Sequence, residues 1–238
     1  MSNKIAIYTA ITNNYEGLKK PKYHSKDIDY IAFSDKKIKS DFWHVIVLDE
    51  TYSALDSIRK ARKIKILGHQ ALKSYEYTVW IDGNINVIGD VKELINYYAD
   101  SDLVTFKHPQ RTCVYDEANA CIEYMKDSRE TIIKQVALMR EHNYPEENGL
   151  VESNVLIRKK TDAINSSMTA WWEMVLNYSR RDQLSFNYTA SIHKLNYALM
   201  GKDNARGSSK YFSVRRDHET ARKLKFHFFN ILSKLKLK

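Results

Sequence analysis

The run Tyr77-Thr-Val-Trp-Ile-Asp-Gly-Asn84 carries an apolar stretch straight into an acid, a glycine and an amide. Thr78 to Ile81 are β-branched or aromatic and read as a strand buried on both faces of a mostly parallel sheet. Ligands of such sheets bind just beyond the carboxyl ends of the strands. Asp82 and Asn84 place two oxygen ligands there, one residue apart. That suits a hard cation, Mg²⁺ or Mn²⁺, which keeps its other positions for phosphate oxygens and water. Gly83 is read as the point where the backbone approaches the ligand. Asp-Gly-Asn is also ordinary turn chemistry after a strand, so the surrounding residues must decide.

Arg59, Arg62, Lys65 and His69 precede this run, and at 100° per residue they cover an arc of about 120° on one helix face. Ile64 lies on the other side, so the helix packs on the sheet and shows a basic stripe. The stripe is either a solvated face or a set of cations for a diphosphate. Lys107-His108-Pro109-Gln110-Arg111 follows another apolar run on the same rim, as the lining of an acceptor pocket or as a polar loop. Glu152-Ser-Asn154 puts an acid at the start of an apolar strand, where an unpaired carboxylate is uncommon. In Arg180-Arg181-Asp182-Gln183, Asp182 is placed to cap a helix or to serve as a carboxylate base behind two arginines.

The elements that position these residues follow from periodicity. Strands are expected at Lys4 to Ile11, Asp29 to Phe33, Trp43 to Leu48, the Trp80 run, Leu103 to Phe106 and Leu150 to Ile157. A long helix is expected from a Ser53/Asp56 cap to about Ser74. Shorter ones follow at Asp90 to Tyr98, Tyr115 to Lys126, Arg129 to Asn143 behind an Asp127/Glu130 capping box, Asp162 to Tyr178 and Asp182 to about His193. Strands alternating with helices predict an α/β sandwich around a largely parallel sheet.

Composition sets the outer bounds. The chain has 238 residues, and its 7 Gly and 3 Pro form no linker, so one domain with a tail is expected. Net charge is +9, and from Val214 to Lys238 eight basic residues face two acidic ones, which leaves the body of the protein nearly neutral. That distribution excludes a general nucleic-acid binder. Within 220–238, Leu224, Phe228, Ile231, Leu232 and Leu235 recur at helical spacing among basic residues. The pattern is that of an interfacial helix on an anionic membrane, or of a helix packed on the domain. No stretch reaches the roughly 20 apolar residues of a membrane span, and Met1 to Tyr8 lacks the signal-peptide pattern, so a cytoplasmic protein, peripheral at the inner face of the membrane, is expected. Cys113 and Cys121 are read as free buried thiols, too far apart along a helix to bridge.

Six ordered motifs together resemble a known family: Tyr8-Thr-Ala-Ile-Thr12 with Tyr15, Arg59-x-x-Arg62-x-x-Lys65 with His69, Trp80-Ile-Asp-Gly-Asn84, His108-Pro-x-Arg111, Glu152-Ser-Asn154 and Arg181-Asp-Gln183. They resemble the TOD1/MUCI70 glycosyltransferase-like domain, once the domain of unknown function DUF616, over about Ile5 to Tyr188. That family is similar to GT-A glycosyltransferases, whose Asp-x-Asp motif holds a divalent metal on the diphosphate of a nucleotide sugar. The resemblance implies a GT-A-like, Rossmann-type sandwich over 1–213 and a basic amphipathic tail over 214–238. It also implies a nucleotide-sugar donor, a glycan or lipid-linked acceptor, and a place in surface polysaccharide or glycan assembly. Carried onto this chain, it assigns Thr9, Ala10, Thr12, Tyr15 and Asp35 to the base and ribose, and Arg59, Arg62, Lys65, Asp82 and Gly83 to the diphosphate. His108, Arg111, Asn154 and Gln183 go to the sugar and acceptor, Asp182 and Glu152 to catalysis, and Asp82, Asn84 and His218 to Mn²⁺ or Mg²⁺. The amide at position 84, where the motif has an acid, lowers the ligand charge. The rival readings are a nucleotidyltransferase, which would use the same metal site and release pyrophosphate, and an inactive membrane-surface adaptor.

Overall fold

The computed structural model describes residues 4–201 and 203–215; the expected metal ligand His218 and the expected tail helix over 220–238 lie outside the described residues. The strands are β1 (Ile5–Ile11), β2 (Ile28–Ser34), β3 (His44–Val47), β4 (Tyr77–Ile81), β5 (Ile85–Val87), β6 (Leu103–Lys107), β7 (Val151–Lys159), β8 (Tyr197–Leu199) and β9 (Phe212–Val214). The helices are α1 (Ser57–Leu67), α2 (Val91–Tyr97), α3 (Val114–Glu123), α4 (Arg129–Glu141), α5 (Asp162–Asn177) and α6 (Gln183–Ile192).

Seven strands form one sheet in the order β3-β2-β1-β4-β7-β6-β8. Its pairs are parallel except where β7 meets β4 and β6, so the expected mostly parallel sheet forms with one reversed strand. The reversal has a direct consequence. It brings the start of β7 to the rim where β4 and β6 end, with Val155 opposite Ile81 and Glu152 opposite Phe106.

Alternation along the strands divides the core. Ile5, Ile7, Val79 and Ile81 pack with Val91, Leu94 and Ile95 of α2 and with Val87 and Phe212 of the small β5–β9 sheet. On the opposite face Ala6, Tyr8 and Trp80 pack with Ile64 and Ile66 of α1, Trp171 and Val175 of α5, and Phe186 of α6. Large side chains buried this completely stabilise the fold by about 1.5–3 kcal/mol each. A third cluster joins α3, α4 and the facing ends of α5 and α6, and holds both cysteines as free, buried thiols.

Helix α1 is shorter than its periodicity suggests. Asp56 is the cap, accepting from Ile58 N and Arg59 N, while Ser53 closes a 3-10 turn before it. Gly68 ends the helix at φ 72°, a left-handed conformation that glycine adopts without strain. His69 then caps a second 3-10 turn through Nδ1 and packs on Phe33 at 4.8 Å, so it is not part of a phosphate-facing stripe. The last turn of α1 is tied to the sheet from two strands. Tyr8 Oη donates to Lys65 O at 3.1 Å and Arg158 Nη1 to Ile66 O at 2.6 Å. Burial pushes the Arg158 guanidinium down to about 10. These bonds set the depth at which Arg62 and Lys65 enter the fold. At α4 the expected Asp127/Glu130 box does not form, because Ser128 caps the helix and Asp127 accepts from Ser179 Oγ and Arg180 N.

The 214–238 boundary expected for the tail falls inside β9. This strand pairs with β5, Val214 N donates to Ala205 O at 2.7 Å, and Arg215 N donates to Asn84 O at 2.7 Å. Among the described residues no helix is long and apolar enough to cross a membrane. Where the segment before β9 crosses Gly89, a Cβ would meet Lys210 O at 2.5 Å. We expect Gly89→Ala to destabilise the protein by about 1–3 kcal/mol by forcing the segments apart, measured by urea unfolding; an unchanged midpoint would show that this seam yields freely.

Candidate active site

The carboxyl ends of β1, β2, β4 and β6 and the beginning of β7 share one rim. Asp82 leaves β4 there with its backbone N–H bonded to Asn154 O at 2.8 Å. Its Oδ1 accepts from Trp80 Nε1 at 2.8 Å and from Lys65 Nζ at 3.4 Å, which fixes the carboxylate plane. Among the described residues nothing bonds Oδ2 or the Asn84 side-chain amide, and both residues are partly exposed. One carboxylate oxygen and one amide oxygen, hard donors held close to solvent, fit a divalent cation that takes its remaining ligands from phosphate and water.

Below Asp82 lies a buried charge cluster. Lys65 is 1% exposed and donates to Asp182 Oδ2 at 2.6 Å, Ser153 Oγ at 3.1 Å and Asp82 Oδ1 at 3.4 Å. Those partners account for the three donors of an ammonium, so Lys65 organises carboxylates and does not reach out to a diphosphate. Asp182 is 2% exposed; its Oδ2 also takes the Ser153 hydroxyl at 2.8 Å, and its Oδ1 lies 2.9 Å from Arg62 Nε without hydrogen-bond alignment. Burial pushes the Asp182 carboxyl up, but Arg62, Lys65 and Arg181 outweigh it and hold it well below the usual carboxylate range. It precedes α6 with helical backbone angles and makes no cap bond. Asp182 is therefore neither the expected cap nor a free base, and it acts as the counter-ion of the cluster.

The basic stripe divides into different fates. Arg59 donates to Val175 O at 3.1 Å, Tyr178 O at 2.9 Å and Asp56 Oδ2 at 2.8 Å, fastening α5 to the start of α1. Its guanidinium is committed to the fold and is not brought to Asp82. Arg62, with 17% of its side chain exposed, both touches the cluster and reaches the surface.

A β-bulge builds the next part. Thr105 pairs with Leu156 but Phe106 pairs with Glu152, and Thr105 Oγ1 donates to Val155 O at 2.8 Å across the irregularity. Bulges re-aim side chains. This one sends Ser153 to Lys65 and Asp182 and the Asn154 carbonyl to Asp82. Asn154 Oδ1 and Glu152 Oε2 remain buried acceptors without a partner among the described residues. Glu152 is not a free catalytic acid, because Oε1 takes Nε of Arg206 at 2.8 Å and Nη2 of the same side chain.

His108 and Arg111 do come together, around a residue that sequence reasoning missed. Arg111 Nη1 donates to Glu117 Oε2 at 2.9 Å, and His108 Nε2 lies 3.7 Å from the same oxygen. His108 Nδ1 accepts from Arg111 N at 3.0 Å. Burial lowers the His108 pKa, with Glu117 opposing and Arg111 and Arg206 reinforcing. Gln183 accepts from Arg181 at 3.3 Å and donates to Val151 O at 3.1 Å, at the first residue of β7.

On the β1 side, Thr9 is buried, Ala10 is half-buried, Thr12 Oγ1 donates to Ser57 O at 2.8 Å and Tyr15 is 74% exposed. Asp35 accepts from Asn13 N at 3.0 Å, at a turn where Asn13 and Asn14 have φ 55° and 53°. Gly83 is needed for a different reason than expected: a Cβ there would lie 2.9 Å from Ile11 Cδ1 and 3.2 Å from Glu16 Cβ. The close approach is to the chain's own first loop. Of the functional groups missed, Ser153 lay between two flagged residues, whereas Glu117, Arg206 and Arg215 carried no local signal.

Removing the negative charge at Asp182 takes the nearest counter-ion from Arg62 and from buried Lys65, so Asp182→Asn should cost about 3–5 kcal/mol. The folded pKa lies below the unfolded one, so this contribution is complete above about pH 4 and is lost as pH falls towards the folded value. Urea unfolding of both proteins between pH 3 and pH 7 checks it, and a mutant penalty that grows on acidification would refute the sign.

Comparison with known proteins gives the chain a family. Residues 1–207 match the family model described as TOD1/MUCI70, glycosyltransferase-like domain. The probable hexosyltransferase MUCI70 of Arabidopsis thaliana is 23% identical over 213 residues, covering 77% of this chain and 36% of the relative. The chain thus spans about a third of that relative's length. Among solved structures, core-mannan synthase A of Aspergillus fumigatus in its Mn/GDP form has a TM-score of 0.49 at 10% identity, over 83% of this chain and 73% of that one. Mouse xyloside xylosyltransferase 1, apo form, has a TM-score of 0.47 at 9% identity, over 83% and 84%. Likenesses at this level transfer no residue roles. The family model does not depend on them, and by its match over most of the sequence the chain belongs to the TOD1/MUCI70 glycosyltransferase-like domain family.

Proposed function

We propose that this protein is a glycosyltransferase that moves a sugar from a nucleotide-sugar donor to an acceptor hydroxyl. The observation that carries the reading is the Asp82 carboxylate at the end of β4, with Oδ1 locked by Trp80 and Lys65 and Oδ2 left for a ligand. Family membership supplies the reaction class. In the reaction the bond between the anomeric carbon and the diphosphate oxygen breaks, a bond to the acceptor oxygen forms, and the hydroxyl proton is released. A divalent cation, Mn²⁺ or Mg²⁺, held by Asp82 and Asn84 would neutralise charge on the leaving diphosphate. Arg62 meets a phosphate oxygen from the exposed edge of its guanidinium. Asn154 and Glu152, at the start of β7, face the transferred sugar. The loop from Thr9 to Tyr15, with Asp35, borders the base and ribose, and His108, Arg111 and Gln183 line the acceptor side.

His218 completes the metal ligands in this reading. Arg215 N is bonded to Asn84 O, and three further residues span at most about 10 Å. The basic 220–238 segment, as an anchor on an anionic membrane, would put a lipid-linked acceptor in reach. Liposome flotation of the full chain and of one ending at Glu219 tests this part, and equal flotation of the two removes the membrane.

The reaction itself is tested by incubating the full chain with UDP- and GDP-sugars and Mn²⁺ and measuring released nucleoside diphosphate. Pyrophosphate instead would assign nucleotidyl transfer. Asp82→Ala should abolish release in a protein that still folds, at a lower melting temperature because Trp80 Nε1 and Lys65 lose a partner; wild-type turnover in the folded variant would sink the proposal. Arg62→Ala should weaken donor binding by about 1.5–3 kcal/mol. Arg59→Ala should lower stability while leaving donor affinity within about threefold, because its bonds are all to the fold.

A further inference from the structure

Arg215 lies beyond the residues that the family model matches, and it joins the two loops that border the proposed donor site. Its Nη2 donates to Gly17 O at 3.0 Å and also to Gly83 O, and its own N–H donates to Asn84 O at 2.7 Å. Glu16 Oε2 lies 3.9 Å from the same guanidinium, and both side chains are nearly buried, at 12% and 14% exposed. The two loops also touch directly here, since the missing Cβ of Gly83 is replaced by Ile11 Cδ1 and the Glu16 side chain. One side chain thus spans the segment after β1, the turn that carries Asp82 and Asn84, and the end of β9.

A planar guanidinium with several fixed donors is suited to bridging carbonyls on separate segments. After Thr12 the chain turns through two left-handed asparagines, held by Asp35 and by Tyr15 N donating to Thr12 O at 3.1 Å, and Trp43 Nε1 donates to Lys19 O. Gly17 falls between those ties.

We propose that Arg215 is a positioning residue that locks the Thr12–Gly17 loop to the Asp82–Asn84 turn, so that the nucleoside side and the metal side of the donor site are ordered together. The coupling of the loops stands on the geometry alone, and its consequence for donor binding rests on the glycosyltransferase reading.

The test compares the full chain with Arg215→Ala, Arg215→Gln and Arg215→Lys, with Lys210→Ala as a control on the same segment. In hydrogen exchange, Arg215→Ala and Arg215→Gln should raise the rate about tenfold in both 13–17 and 83–85. Arg215→Lys should restore most of the protection, since an ammonium can still donate to both carbonyls, and Lys210→Ala should change neither segment. A rise in one segment only, or in neither, overturns the coupling. Calorimetry with Mn²⁺ plus UDP and Mn²⁺ plus GDP reads the consequence: affinity should fall about tenfold in Arg215→Ala and recover in Arg215→Lys. Equal affinity in wild type and Arg215→Ala overturns the positioning role. Coupled exchange in a wild-type protein that binds neither nucleotide would instead confirm the lock and refute the donor site.

Discussion

The ammonium of Lys65, removed from water and shared among Asp182, Asp82 and Ser153, is the constraint on which the rest of the site depends. A buried cation is tolerated only with its anions and acceptors within hydrogen-bond reach. Meeting that demand requires α1, β4, the β7 bulge and the residue before α6 to converge on one point. Ion pairs of this kind contribute little net stability but penalise every arrangement in which a partner is misplaced. Here the position of Asp82 is therefore a property of the whole fold. The Tyr8 and Arg158 bonds to the last turn of α1 serve the same end from below, because a small rotation of that helix would withdraw Lys65 from its partners.

Much of this was legible in the sequence. β1, β4 and β7 announced themselves as apolar runs, and α5 ran within a residue of its expected bounds. The rim was legible too, since Asp82, His108 and Glu152 each stand beside an apolar run. What periodicity cannot give is depth and partner. The stripe of Arg59, Arg62 and Lys65 was correctly set on one helix face, yet Lys65 is buried and Arg59 bonds residues 116 and 119 positions away. The reversal of β7 leaves no local mark, nor do the three-residue strands β5, β8 and β9. Gly68 could have ended α1 on paper, but an isolated glycine inside a helical pattern is often tolerated.

The segment from Asp203 to Arg215 contributes two arginines to opposite sides of the rim. Arg206 neutralises Glu152, and Arg215 grips the Gly17 and Gly83 carbonyls. Both partners lie far away in sequence, 54 and up to 198 residues, so neither contact was foreseeable from spacing. The site is consequently closed by the chain's last described element, although its chemistry is announced by its fourth strand.

Among the described residues, the acceptors at the rim without a protein partner are Asp82 Oδ2, Asn154 Oδ1 and Glu152 Oε2, beside the unbonded Nε donors of Arg62, Arg181 and Arg215. On the proposed reading, Asp82 Oδ2 takes a cation. The cations that spacing had offered to the diphosphate are largely spent, Arg59 on the fold and Lys65 on Asp182. Arg62 is left, and it shares its charge with Asp182. On the proposed reading, neutralising a leaving diphosphate therefore falls chiefly to the metal. The amide at position 84 weakens the ligand set, and on that reading Arg59 and Lys65, committed to the fold, do not compensate for it.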